Sequence, residues 1–287
     1  MSITTDWHIH THCSCDSASM KLETLIQEAQ ELGISDFGIS DHYHTRIQEP
    51  DIAASRREYD AVLEKHPQLR GHFHFGIEAT LVSSWEVAQI AGRKYEETPV
   101  YGLRVGGPAN APVILDFDEG FLERYGIEYV VTGMHWPMYC ATDPQSLIKE
   151  YHRQYLYAAT HPYTTIMAHY LWWDDGLLPN WWGVKGVENP FLDFSVISQT
   201  MRSELKAALL EHQTAFEINL STVVFDKCIP DSFRDEYLGW AADLQRSGVV
   251  LSIGSDCHSA HLNGTDYTAA DKILTGYGID TDACFKL

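Results

Sequence analysis

The stretch Asp6-Trp-His-Ile-His-Thr-His-Cys-Ser-Cys-Asp16 opens the chain and organises the rest of it. His8 and His10 are two residues apart, so on a β-strand both imidazoles lie on one face of the strand. Such a pair suggests half of a metal site, although a solvated strand face explains it equally well. Near the far end of the chain, Asp256-Cys-His258 repeats the spacing after the buried-strand pattern Val249-Val-Leu-Ser-Ile-Gly. The two ends are therefore expected to supply ligands to one place.

Length and composition allow either one large barrel or two small domains, and because no low-complexity linker or repeat divides the chain, a single globular domain over residues 1–287 is predicted. Hydrophobic residues make up 45% of the chain, which is enough for one large core. No run of about 18 or more apolar residues exists, so we expect no membrane span and no membrane partner. The first residues lack the basic and apolar regions of a signal peptide, and the six cysteines form no regular framework, so a cytoplasmic location is expected. Cys13 and Cys15 are interpreted as neighbours of the site rather than as ligands.

The charge of the chain disfavours nucleic acid as a partner. The formal net charge is −20 at pH 7, whereas nucleic-acid-binding proteins carry basic stripes. The 15 histidines are many for this length, and several follow predicted strands. Because of this charge, nucleic acid is not an expected partner.

Strand and helix patterns alternate along the chain. Seven strands are predicted, at Thr5–His10, Phe37–Ser40, Phe73–Glu78, Tyr129–His135, Thr165–His169, Ala215–Asn219 and Val249–Asp256. Helices are predicted at Leu22–Glu31 (ended by Gly33), Ile52–Lys65, Phe117–Tyr125, Pro144–Thr160, Val196–His212 and Tyr237–Arg246. A hairpin between Val100–Leu103 and Val113–Leu115 is a further expectation. The alternation is typical of a parallel sheet, most simply closed as an α/β barrel.

Potential metal ligands follow most of these strands. In a parallel α/β barrel, the chemistry gathers at the C-terminal ends of the strands. A single histidine at such a position is more often an ordinary half-buried side chain. Six of the seven predicted strands end in such residues, however, and this repetition predicts a multi-metal site. The residues are His8, His10, His42, Glu78, His135, His169, Asp256 and His258.

These motifs, in this order, resemble the polymerase and histidinol phosphatase (PHP) family of metallohydrolases. The resemblance extends over essentially the whole chain. It rests on Asp6-Trp-His-Ile-His-Thr with Ser14 and Asp16, Ser40-Asp-His42, Gly76-Ile-Glu78, Gly133-Met-His135, Ala168-His169 and Gly254-Ser-Asp-Cys-His258.

The resemblance implies a fold and a metal centre. The fold is a distorted (β/α)7 barrel, with the active site at the C-terminal ends of the strands. Two to three divalent ions of zinc, manganese or iron are implied for each chain. One ion would take His8, His10, Glu78 and Asp256, a second Glu78, His135 and His169, and a third Asp16, His42 and His258.

The resemblance also implies a reaction. Most members of the family are phosphatases or phosphodiesterases, and divalent ions acidify water and neutralise phosphate oxygens. We therefore expect a phosphomonoesterase that acts on a small-molecule metabolite. Glu78, Asp256 and His258 are its expected catalytic residues.

The expected substrate contacts rest on weaker patterns. Glu217-Ile-Asn219 resembles a histidinol phosphatase motif, so Asn219 is expected to orient the substrate, although a strand-end cap is equally compatible. The phosphatases carry an arginine after this motif, whereas this chain reaches a basic residue only at Lys227. Their basic residue after the equivalent of His169 is replaced here by Tyr170-Leu-Trp-Trp-Asp-Asp. Both departures argue against histidinol phosphate.

Further contacts are expected from residues near the strand ends. Arg46 and Lys227 are candidate phosphate contacts, although a surface charge is the commoner role of each. His44 lies close to His42 and is a candidate contact for the leaving group. The loop at about 170–194 holds four tryptophans, of which Trp172 and Trp173 are expected to stack on the substrate beneath a lid. A second small core built by these rings is the alternative.

Two other reactions stay open at this point. A phosphodiesterase would use the same metal centre. A carbon–nitrogen hydrolase of the amidohydrolase type often uses a carbamylated lysine after the fourth strand, where this chain has Thr132-Gly-Met-His135 instead. A nuclease is disfavoured by the charge.

Overall fold

The computed structural model describes residues 3–91, 107–175 and 186–287. Each strand in these ranges is short and mostly buried, and all eight residues of the third are buried. Such a pattern is typical of a parallel sheet covered on both faces. The strands are β1 (Thr5–Asp6), β2 (Asp36–Tyr43), β3 (Phe73–Thr80), β4 (Val82–Ser83), β5 (Val113–Ile114), β6 (Tyr129–Gly133), β7 (Ile166–Met167), β8 (Ala215–Asn219) and β9 (Leu251–Gly254).

Seven of these strands form one parallel sheet that closes on itself. Their order is β1-β2-β3-β6-β7-β8-β9. The two outer strands then meet, since Trp7 N donates to Ile253 O at 3.0 Å and Asp256 N donates to His8 O at 2.7 Å. An isolated parallel bridge between Ile9 and Cys257 extends the seam. The predicted distorted (β/α)7 barrel is confirmed.

At least one helix lies between each pair of consecutive barrel strands. Gly33 ends the first helix in the left-handed conformation, with φ of 77°, as the sequence predicts. No helix among the described residues has the length and apolar character needed to cross a bilayer. The helices are α1 (Leu22–Leu32), α2 (Glu49–Lys65), α3 (Ser84–Ile90), α4 (Glu119–Tyr125), α5 (Pro144–Thr160), α6 (Gln199–His212), α7 (Asp231–Arg246) and α8 (Tyr267–Gly276).

Two helices were not expected from the sequence. The first, α3, begins with a capping box in which Ser83 Oγ accepts from Glu86 N and the Glu86 side chain accepts from Ser83 N. The second, α8, is preceded by the N-cap residue Asp266, whose side chain accepts from Ala269 N. Both starts are marked by polar residues at cap spacing, but no helix is predicted from the sequence in either stretch.

The predicted hairpin is only partly within the described residues. Its first arm, Val100–Leu103, lies outside them. Its second arm contains β5, which pairs with β4 in an antiparallel register, with Val82 opposite Ile114. The structure thus joins β5 to the strand that follows β3.

Candidate metal centre

The predicted ligands gather at the C-terminal end of the barrel. His42 and Glu78 are on neighbouring strands and face each other in the register of β2 and β3. The others follow β1, β6, β7 and β9 within a few residues, and Asp16 comes from the loop after β1. The structure brings all nine predicted side chains together. Their role as ligands stays a prediction.

Four of these side chains surround one point. His8 Nε2 lies 3.3 Å from Glu78 Oε2 and 3.5 Å from Asp256 Oδ1. His10 Nε2 lies 3.5 Å from Glu78 Oε2 and 3.3 Å from Asp256 Oδ1. Ligands about 2.0–2.2 Å from a tetrahedral zinc ion are about 3.3–3.6 Å apart, so this spacing matches a coordination shell.

Buried polar atoms at this point lack hydrogen bonds. Among the described residues, His8 Nε2, His10 Nε2 and Glu78 Oε2 are buried without a hydrogen-bond partner. Such atoms are costly unless another group satisfies them. A divalent cation would bind all three, so the residues present fit a metal ion.

Glu78 stands at the middle of the larger cluster. Its Oε1 lies 3.2 Å from His135 Nε2 and 2.7 Å from His169 Nε2. Its Oε2 lies 2.8 Å from His42 Nδ1. One carboxylate thus faces histidines on two sides, which is the arrangement of a ligand shared by two ions.

The third predicted group centres on Asp16. Its Oδ2 lies 2.5 Å from His258 Nε2 and 3.4 Å from His42 Nε2. The His10 ring stacks on those of His258 and His42, with centroids 4.1 and 4.4 Å away. Donor atoms of all four residues lie within 4.8 Å of one another, and those of His42, Glu78 and His135 do so too. His10 and His42 each belong to two such groups of donor atoms. The distances therefore do not separate the residues into the three ligand sets that the resemblance implies.

The electrostatics of the centre favour a cation. Burial, with the nearby His42 and His258, lowers the pKa of His10 to about 3. Burial also lowers the pKa of His135 to about 4, and Glu78 offsets this only in part. Burial would raise the pKa of Asp16, but hydrogen bonds from His258 and His42 hold it well below its usual range. Burial also opposes the charged form of His8, His42 and His258, but the neighbouring carboxylates outweigh it and raise the pKa of all three rings, that of His42 to about 10. The carboxylates thus favour positive charge at these rings, and a bound cation would take the place of their protons.

Glu217 holds two of the predicted ligands and was not assigned a role from the sequence. Its Oε1 lies 2.6 Å from His8 Nδ1, and its Oε2 accepts from the backbone N of His169 at 2.6 Å. A carboxylate behind a histidine fixes the ring orientation and raises its basicity as a ligand. A signal was present, because Glu217 is two residues before Asn219 and shares its strand face.

Asn219 acts as a cap and also contacts a predicted ligand. Its Oδ1 accepts from Ser221 N at 3.1 Å and from Thr222 N at 3.0 Å. Its Nδ2 donates to Asp256 Oδ2 at 3.2 Å and to Glu217 Oε2 at 3.1 Å. The amide therefore orients the carboxylate of Asp256.

The backbone at the strand ends is shaped by the cluster. His169 and Asp256 have φ angles of 27° and 55°, where side-chain-bearing residues are strained. A Cβ at Gly133 would lie 2.5 Å from Glu78 Oε1, and a Cβ at Gly254 would lie 2.2 Å from Glu217 Oε1. The regular strands therefore end earlier in the chain than the sequence predicts. Glycine at positions 133 and 254 leaves room for the carboxylates of Glu78 and Glu217.

A cavity of about 350 Å³ opens over the cluster. None of its described lining residues is a lysine or an arginine. Besides predicted ligands, it is lined by His44, Trp136, Trp172, Asp174, Ser221 and Thr222.

The other predicted substrate contacts lie away from this lining. The Arg46 guanidinium is paired with Asp116, with Nε 3.1 Å from Oδ2, and Lys227 is exposed. Trp173 packs on Tyr151 and Phe191, with ring centroids 6.2 and 6.1 Å away. In the predicted lid, residues 176–185, including the other two tryptophans, lie outside the described residues.

Cys13 belongs to a separate group of donor side chains. It lies with His12 and Glu58, and His12 Nε2 is 3.1 Å from Glu58 Oε1. Burial and the nearby Glu58 raise the pKa of the Cys13 thiol to about 12. The thiol is therefore protonated at neutral pH.

Comparison with known proteins identifies the family. The model of the PHP domain matches residues 6–172, more than half of the chain. The chain belongs to the PHP family. The matched segment carries seven of the nine predicted ligands of this PHP protein, and Asp256 and His258 follow it. Membership indicates a metal-dependent hydrolase.

Other comparisons add no argument about function. No curated protein matches the chain. Among solved structures, A. niger ochratoxinase is similar at 10% identity and a TM-score of 0.40, over 98% of this chain and 67% of that one. A Xaa-Pro dipeptidase with bound methionine is similar at 12% identity and a TM-score of 0.36, over 98% of this chain and 72% of that one. Likenesses this distant carry no inference.

Proposed function

We propose that this PHP protein is a metal-dependent phosphomonoesterase acting on a small-molecule metabolite. The observation that carries the proposal is the placement of Glu78, whose two carboxylate oxygens face histidines on opposite sides. This arrangement suits a centre of two to three divalent ions of zinc, manganese or iron. Such ions acidify water and neutralise the oxygens of a phosphate ester when bound.

The chain's own residues would hold and shield the reacting groups. Glu78, Asp256 and His258 are the proposed catalytic residues, because all three line the cavity and belong to the cluster. Asn219 would hold Asp256 in one orientation through its amide. Trp172 lies against the rings of His135 and His169, with centroids 5.8 and 5.7 Å away, and would exclude water from one side of the substrate.

The size of the cavity supports a small substrate. A volume of about 350 Å³ falls at the lower end of the range of about 300–1,000 Å³ typical of small-molecule sites. The net charge of −20 disfavours nucleic acid. All six cysteines are free thiols, which supports the expected cytoplasmic location.

A phosphodiesterase is the second candidate. A phosphomonoester carries up to two negative charges and a phosphodiester only one. Because no described lining residue is a lysine or an arginine, the metal ions would supply most of the charge that balances the substrate. The diester needs less balancing charge than the monoester, which is the observation in its favour.

Hydrolysis assays separate these candidates. The protein would be loaded in turn with zinc, manganese and iron(II), and tested on phosphomonoesters, phosphodiesters, amides and lactones. We expect turnover of a phosphomonoester, lost in His10→Ala and Asp256→Ala. His72→Ala is the matched control, because His72 is exposed and lies outside the cluster. Turnover of amides without any phosphate ester would refute the proposal in favour of a carbon–nitrogen hydrolase, and turnover of lactones alone would refute it in favour of a carboxylic ester hydrolase.

A further inference from the structure

A second group of metal-binding side chains lies where the loop after β1 meets α2. His12, Cys13 and Glu58 each offer one donor atom, and these atoms lie within 4.8 Å of one another. None of the three residues lines the cavity over the main cluster of nine predicted ligands. Nitrogen, sulfur and oxygen donors of these kinds bind zinc in proteins, and three of them leave one position for water. The group therefore has the chemistry of a separate zinc site.

The two loop residues of this group are held side by side by a tight turn. Ser14 N donates to Thr11 O at 2.9 Å, so His12 and Cys13 are the two central residues of a β-turn. Cys13 N donates to Thr11 Oγ1 at 3.1 Å, and Thr11 Oγ1 donates to the buried Asp41 Oδ2 at 2.7 Å. These bonds anchor the turn to β2 without the help of an ion.

The ring of His12 has the orientation of a metal ligand. Its Nδ1 lies 3.2 Å from Met20 O, and because a carbonyl oxygen only accepts, Nδ1 carries the proton of this bond. A bond from the other ring nitrogen to a backbone carbonyl is usual for a metal-binding histidine. The lone pair of the neutral ring is then on Nε2, which lies 3.1 Å from Glu58 Oε1. A lone pair and a carboxylate oxygen repel each other at this distance, so either a proton or a metal ion is favoured between them.

The three side chains have room to move towards an ion. Ligand atoms around a tetrahedral zinc ion are about 3.3–3.6 Å apart, so separations of up to 4.8 Å must shrink by at most about 1.2 Å. The side chains of His12 and Glu58 are 39% and 43% exposed. Solvent on this side allows both side chains to rotate, gives an ion a path of entry and supplies the water for the fourth position.

The charges around Cys13 favour a cation. Burial, Glu58 and Asp41 all raise the pKa of the Cys13 thiol, because each opposes a bare negative charge on sulfur. A divalent ion reverses the effect of the carboxylates, since they attract the ion to which the sulfur binds. On binding, the S–H bond breaks, a zinc–sulfur bond forms and the proton passes to water.

We propose that His12, Cys13 and Glu58 bind one zinc ion that joins the loop after β1 to α2, at a site separate from the main cluster. The same loop carries Asp16, a predicted ligand of the main cluster, so the ion would also restrain the backbone that leads to that residue. The proposal does not depend on which reaction the main cluster performs.

Cobalt(II) spectroscopy tests this site selectively. Cobalt(II) replaces zinc, and a cysteine thiolate bound to it gives an intense charge-transfer band in the near ultraviolet. Within the part of the chain that the structure describes, the other three groups of donor side chains contain no cysteine, so they give no such band. We expect the band in the cobalt-loaded wild type and its loss in Cys13→Ser and His12→Ala. Cys15→Ser is the matched control and should keep the band, because Cys15 is a half-buried thiol of the same loop outside the group.

Two spectroscopic results would overturn the proposal. One is the absence of the band from the cobalt-loaded wild type, which would leave His12 and Glu58 as an ordinary ion pair. The other is a band that persists in Cys13→Ser, which would place the thiolate ligand elsewhere.

Zinc content and affinity test the site independently of cobalt. Elemental analysis of zinc-saturated, dialysed protein should find one zinc ion per chain fewer in Cys13→Ser than in the wild type, with the fold verified by circular dichroism. Glu58→Gln should weaken binding of this ion at least about 10-fold in a chelator competition. Glu64→Gln should not, because it makes the same change at an exposed position of the same helix. Equal zinc content in the wild type and Cys13→Ser would refute the site.

Discussion

Replacing Gly133 with alanine should damage the metal centre and leave the barrel intact. Gly133 ends β6 in extended backbone, which alanine adopts without strain. The new Cβ would lie 2.5 Å from Glu78 Oε1 and 2.7 Å from His169 Nε2, whereas ordinary contact begins at 3.4 Å. The carboxylate must therefore retreat by about 0.9 Å, and metal–ligand distances tolerate only about 0.2 Å.

The expected loss of metal affinity is large because the two oxygens of Glu78 contact histidines on two sides of the cluster. Changes behind a single ligand typically cost about 10- to 100-fold in metal affinity, and displacement of the shared carboxylate should cost at least as much. Competition with a chromogenic chelator measures the affinity, and circular dichroism verifies the fold. The measurement should be made for each of zinc and manganese.

Gly239→Ala provides the matched control. Gly239 lies within α7, and a Cβ there would meet nothing within 4 Å. Alanine should leave metal affinity unchanged and stabilise the helix by about 0.5–1 kcal/mol. If Gly133→Ala binds metal as tightly as the wild type, Glu78 and His169 do not hold the metal in the arrangement described here.

Three further outcomes are expected. Glu217→Gln should lower metal affinity about 10- to 100-fold at unchanged fold in a chelator competition, since the charge behind His8 is lost. Adding metal at 100 times its dissociation constant should stabilise the metal-free protein by about 2.7 kcal/mol for each site, measured by urea unfolding. Burial opposes the charged form of His74, but Glu128 and Asp36 outweigh it and raise its pKa. The stability of the wild type relative to His74→Gln should therefore be greatest below about pH 6.5 and fall as the pH rises through the raised pKa.

The gathering of the nine candidate side chains could be predicted because it follows from local rules. Alternation on a strand places His8 and His10 together, and a parallel barrel brings the ends of its strands to one face. Neither rule needs the positions of distant residues. Local patterns of apolar residues likewise predicted the seven barrel strands and most of the helices.

The surroundings of the candidate substrate contacts could not be predicted in this way, because they depend on contacts between residues that are distant in the sequence. Arg46 was a candidate phosphate contact, yet its guanidinium is paired with Asp116, 70 positions away in the sequence. Trp173 neighbours Trp172 but turns to Tyr151 and Phe191. The role of Glu217 required knowing that its carboxylate reaches His8, 209 positions away.

The strand ends were misjudged for a physical reason. The predicted strands ran through His169 and Asp256, whereas the regular pairing of β7 and β9 stops at Met167 and Gly254. Left-handed φ angles at both residues turn their side chains out of the strand path. Sequence patterns predict regular backbone, and such residues persist only where the surrounding structure holds them.

Closure of the barrel and assembly of the centre are one structural event. The seam between the first and last strands is formed by hydrogen bonds of His8 and Asp256, which are both predicted ligands. Behind the seam, buried Asp6 accepts from His8 N at 3.1 Å and from Ser255 N at 2.9 Å. A cation between His8 and Asp256 would therefore join residues nearly 250 positions apart, at the seam that closes the barrel. Metal binding stabilises such a protein where its chain ends meet, because an open seam cannot present both ligands at once.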